Sequence, residues 1–127
     1  VATKHMHWGD WLLAYGNAPR ALVVWNTLAD DNKISHEVRA QALQKIADYQ
    51  IAQKQMPLAL KVWERTASWP APPVPPAAKT HTPYLNWAHR RAASRADIYL
   101  NQGDETKLRG ELKSIVTIAQ NNPDLLW

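Results

Sequence analysis

The chain has 127 residues, 46% of them hydrophobic, with seven Trp, nine Pro, four Gly, no Phe and no Cys. That length suits one domain with a sizeable core, and the lack of Cys excludes disulfides, thiolate metal sites and cysteine nucleophiles. The net charge of +4 is spread evenly, +2 over residues 1–69 and +2 over 70–127, with Arg90-Arg91 the only adjacent basic pair, so no basic tail or stripe singles out a nucleic-acid face.

No apolar run approaches the ~20 residues of a membrane span. In chain order, Trp8, Trp11, Leu12 and Tyr15 share one face of a first helix, closed by Gly16-Asn17. Pro19 opens a second helix, where its missing N–H would be unpaired anyway. That helix carries Leu22, Trp25 and Leu28 and ends in Asp30-Asp31-Asn32-Lys33. Ser35 is the N-cap expected for a third helix running to about Lys54, with Val38, Ala42, Leu43, Ile46 and Ala47 as its apolar positions. Pro57 starts a fourth helix bearing Leu60, Trp63 and Ala67. Residues 70–83 form a Pro-rich insertion, expected to be extended and loop-like. Thr82-Pro83 predicts the start of a fifth helix reaching Gln102, with Gly103 as its stop. Asp104 caps a sixth helix with Leu108, Leu112, Ile115 and Ile118, ended by Asn121-Asn122-Pro123. No alternating pattern predicts a strand.

A repeat runs through these elements. Pro19, Ala21, Val24 and Trp25 recur 38 residues later as Pro57, Ala59, Val62 and Trp63. Asp10 recurs as Asp48 at the same spacing, and Asp97 follows 49 residues after that, the added length being the Pro-rich insertion. In the third copy Leu108 and Leu112 stand where Ala59 and Trp63 did. A fixed period of this size marks stacked helical hairpins, because one hairpin cannot cover its own apolar face.

The pattern resembles the tetratricopeptide repeat family. Gly9, Ala47 and Ala96 occupy its first small position, Gly16 and Gly103 its turn glycine (Lys54 in the middle copy), Ala21 and Ala59 its second-helix alanine, and Trp25 and Trp63 its large ring. The resemblance implies an all-α fold of three antiparallel hairpins (residues 5–33, 35–69 and 83–122) stacked as a short right-handed solenoid in one domain. It also implies an interaction module without cofactor or catalytic chemistry that binds a protein or peptide. Its first helices would line a groove, which makes Asp10, Gln41, Gln44, Asp48, Arg90, Asp97 and Asn101 the candidate partner-binding residues. Stacked Asp side chains suit a basic or amide-rich peptide; the competing reading is local capping and ion pairing.

Other constellations are weaker. His5-x-His7 has no acidic neighbour before Asp10 to complete a metal site. Adjacent Ser35-His36-Glu37 side chains cannot converge as a triad does. The alternative function is a basic helical nucleic-acid-binding domain using Arg90, Arg91, Arg95, Lys107, Arg109 and Lys113. The opening Val1 and the helix-like Asp124-Leu125-Leu126-Trp127 suggest a fragment of a longer protein, and the family leans faintly toward a bacterial envelope or secretion assembly.

Overall fold

The computed structural model describes residues 2–70 and 86–121, and the side chains of residues 4–70 and 86–116. Six helices follow one another: α1 (Ala2–Ala14), α2 (Ala18–Asp30), α3 (His36–Ala52), α4 (Met56–Glu64), α5 (Trp87–Gln102) and α6 (Glu105–Asn121), and no strand occurs among the described residues. The helices pack as α1 on α2, α2 on α3, α3 on α4, α4 on α5 and α5 on α6; α3 also packs on α5 and touches α1.

One turn is used three times, between α1 and α2, α3 and α4, and α5 and α6. Gly16, Lys54 and Gly103 all have left-handed backbone, with φ of 81°, 60° and 72°. Their N–H groups donate to Leu13, Ile51 and Leu100 O, and the next N–H, of Asn17, Gln55 and Asp104, donates back to Leu12, Gln50 and Tyr99 O. This paired bonding satisfies carbonyls that a helix C-terminus otherwise leaves open. These positions are separated by the sequence spacings of 38 and 49. Asn17, Gln55 and Asp104 then serve as N-caps, their carbonyls accepting from Ala21, Ala59 and Leu108 N–H. Pro19 and Pro57 lie in the first turns of α2 and α4, where no donor is lost.

The core joins α1 to α5. Trp25 and Trp63 are 1% and 0% exposed, in company with Ala21, Leu28, Ala40, Leu43, Ile46, Ala47, Ala59 and Ile98. The two indoles differ in their partners: Trp25 Nε1 points at Met6 O of α1 (3.4 Å), whereas Trp63 Nε1 donates to Ser94 Oγ of α5 at 2.8 Å. Burying a ring of this size brings a large apolar area out of water, but its N–H must find an acceptor. Ser94 supplies one for Trp63.

Three sequence expectations are corrected. Of the apolar residues assigned to one face of α1, only Leu12 is buried; Met6 and Gly9 turn inward with it, while Trp8, Trp11 and Tyr15 are exposed. α4 ends at Glu64, and Ala67 is exposed in the following turn, where Thr66 Oγ1 donates to Trp63 O and Ala67 N–H donates to Glu64 O. α5 begins at Trp87, capped by Asn86, whose Oδ1 accepts from His89 N–H (2.9 Å). The Thr82-Pro83 start, most of the Pro-rich insertion and the last six residues lie outside the described residues, as does the Ile118 side chain.

Candidate functional site

α3 carries a polar stripe, Gln41, Gln44, Lys45 and Asp48, at i, i+3, i+4 and i+7, the spacing that puts side chains on one helix face. The opposite flank of the helix holds Ala40, Leu43 and Ala47 in the core. The stripe and Arg90 of α5 line one recess of about 400 Å³. Four of the seven residues proposed from the sequence, Gln41, Gln44, Asp48 and Arg90, therefore meet at one place.

The other three sit beside it. Asp10 of α1 pairs with Lys45, Nζ lying 2.8 Å from Oδ1, and His7 Nδ1 is 3.7 Å from its other oxygen. Asp10 thus acts as a tie between α1 and α3. Asp97 is exposed on α5, near enough for its charge to act on Asp48. Asn101 Nδ2 donates to Asp97 O (2.7 Å) and to Asp97 Oδ1 (3.3 Å), a bond within one turn of α5. Lys45 was not among the sequence candidates. The 41-44-45-48 spacing pointed to it, because any residue on that stripe shares the recess.

The charges inside the recess are unevenly matched. Lys45 is committed to Asp10, and Arg90 Nη1 donates to Gln44 Oε1 at 3.2 Å while its Nε is shielded from solvent without a hydrogen-bond partner. Asp48 is exposed as a residue, yet protein atoms around its carboxyl remove part of the water. That partial burial raises its pKa above the usual 3.8, the Asp97 charge raises it further, and Lys45 opposes both. Two carboxylates on neighbouring helices thus repel across the rim, with one cation already engaged elsewhere. The Gln41 amide has no hydrogen bond among the described residues.

The remaining constellations disperse. Ser35 Oγ accepts from Val38 N–H at 3.4 Å as an N-cap, the His36 ring lies 4.8 Å from Trp69, and Glu37 Oε1 accepts from Trp87 N–H at 3.1 Å, so the three point to different neighbours. Among the described residues no three His, Cys, Asp or Glu side chains cluster as metal ligands would. The cations of the basic set are engaged within the fold. Arg91 donates to Thr66 Oγ1 and stacks on Trp87, Arg95 pairs with Glu111, Lys107 with Asp104 and Arg109 with Glu105.

Among the described residues no helix is long and apolar enough to cross a membrane. The fold and recess define an all-α helical domain with a polar depression between its third and fifth helices. No protein-family model, curated protein or solved structure matches the chain.

Proposed function

We propose that this chain is a non-enzymatic interaction module of tetratricopeptide-like build, three helical hairpins stacked as a short right-handed solenoid, and that its first helices offer a groove to a peptide or protein partner. The turn used three times at the repeat spacings supports the hairpin reading. The contacts of α3 with both α1 and α5 support a row of first helices. The observation that carries the binding role is the recess formed by Gln41, Gln44, Lys45, Asp48 and Arg90.

Its chemistry suits a peptide carrying Lys or Arg. Burial and then the Asp97 charge raise the Asp48 pKa, and a cationic side chain between the two carboxylates would offset the second of these. A peptide carbonyl can accept from the Arg90 guanidinium where it lines the recess, and Gln41 can pair with a main-chain amide.

Panning a random peptide library on the whole chain tests this. Lys- or Arg-bearing sequences should be enriched, and D48N combined with D97N should weaken a selected peptide about tenfold or more with helical circular dichroism unchanged. Enrichment blind to charge, or binding unaffected by the double variant, would overturn the reading. Retention on immobilised DNA that falls steeply with salt would instead favour the basic-face alternative.

A further inference from the structure

α1 leaves a run of large aromatic side chains in water. Trp8, Trp11 and Tyr15 are 53%, 54% and 74% exposed, and they fall at i, i+3 and i+7 on one face. The Trp11 and Tyr15 rings lie 4.7 Å apart. Isolated exposed apolar residues need no explanation, but an ordered aromatic stripe does.

The repeat register says what such a stripe meets. Thirty-eight residues on, the places of Trp8 and Trp11 are held in α3 by Ile46 and Tyr49. Ile46 lies two turns from Arg39 on the same face, and Arg39 Nε donates to Ala29 O of α2 at 2.9 Å. α3 thus turns this face toward the second helix of the preceding hairpin, and Ile46 is buried there. In α1 the equivalent face has no such helix among the described residues.

The opposite end carries the complementary surface. Leu112 of α6 holds the place that Trp63 holds in α4. Trp63 is fully buried and reaches the following helix through Ser94. Leu112 is 47% exposed, and Val116, one turn further on, is 49% exposed. The first and last described helices thus each expose an apolar face of the kind that the internal α2–α3 and α4–α5 contacts cover.

We infer that the aromatic face of α1 docks on the Leu112–Val116 face of α6 in a second copy of the chain, continuing the internal packing from one molecule to the next. Such a contact is head-to-tail, so it joins different surfaces and leaves one face free at each end. It grows into chains or closes into a ring. It uses the repeat register and is independent of what fills the recess. One helix pair per contact puts the association at the weak end of specific interfaces.

Sedimentation velocity on the whole chain from about 5 to 500 μM tests it. The average mass should rise with concentration past that of a dimer. W11K on α1 and L112K on α6 should each give monomers with helical circular dichroism intact, and an equimolar mixture of the two should restore association but stop at the dimer. W8K and V116K serve the same comparison should either first variant lose helicity. Wild-type chain that stays monomeric throughout, or L112K that assembles as the wild type does, would overturn the inference; the second result would mean that two α1 faces pair with each other.

Discussion

Trp25 occupies the space that a side chain on Gly9 would need. A Cβ built at Gly9 would lie 2.3 Å from Trp25 Nε1 and 2.8 Å from Cδ1. The ring is 1% exposed and the contact joins α1 to α2, so neither group can step aside into solvent.

Gly9→Ala is therefore expected to destabilise the domain by about 1 to 2 kcal/mol, the overpacking cost exceeding the ~1 kcal/mol that Ala gains over Gly within a helix. Gly110→Ala in α6, where nothing lies within 4 Å of the added Cβ, should gain that increment alone. Urea unfolding of the two variants, read by Trp fluorescence, should shift the midpoint in opposite directions.

Lys54 is the one described non-Gly residue with positive φ. An L side chain in left-handed backbone costs about 1 to 2 kcal/mol, part of which a glycine returns as lost chain freedom. Lys54→Gly should stabilise by roughly 0.5 to 1 kcal/mol, and thermal unfolding should show a higher Tm. A lower Tm would mean that the Lys54 side chain contributes a contact outweighing the strain.

Ser94→Ala would leave Trp63 Nε1 buried without its 2.8 Å acceptor. An orphaned buried donor costs about 1 to 3 kcal/mol. Trp63→Phe removes the donor as well as packing, so in that background Ser94→Ala should cost much less. The double-mutant cycle in chemical denaturation measures the difference.

Two titrations should act in opposite senses. Burial, then the neighbouring Arg90 charge, holds the His89 pKa below the usual 6.5. As pH falls from neutral through 6.5, the unfolded chain binds the proton first, and stability falls until the lower folded value is passed. His89→Gln should flatten that slope. Asp48 has its folded pKa raised, so its contribution is lost as pH rises above 3.8 through the folded value. Asp48→Asn should stabilise the domain at neutral pH by only about 0.5 kcal/mol, because solvent screens the exposed carboxylate. Stability curves from pH 4 to 8 check both signs.

Much of the helix order was legible because its punctuation is local. Pro19, Ser35, Pro57, Gly103 and Asp104 each act within a turn of their own backbone, and each bounds a helix where its chemistry predicts. Asn86 was passed over although its signal is equally local: its side chain caps α5 by accepting from His89 N–H. The α1 face misled for a different reason. Periodicity tells which residues share a face, and Trp8, Trp11 and Tyr15 do share one, but it does not tell whether a neighbour covers it. Within the candidate site, register brought Asp10, Asp48 and Asp97 into one class, yet their surroundings separate them. Lys45 neutralises Asp10, whereas Asp48 faces Asp97. Pairings between α1, α3 and α5 depend on side chains far apart in sequence, so no single-helix pattern carries them.

The rings of Trp69 and Trp87 lie 5.2 Å apart, with Arg39 over the first, Arg91 over the second, and His36 beside both. Two tryptophans 18 positions apart in the sequence are thus drawn together against the first turn of α3. Ring pairs of this kind are worth about 0.5 to 1.5 kcal/mol beyond the area they bury. One cluster of rings and guanidinium groups therefore pins the turn after α4 and the first residue of α5 to the same place, so the position of α5 is fixed by side-chain packing and not by chain continuity.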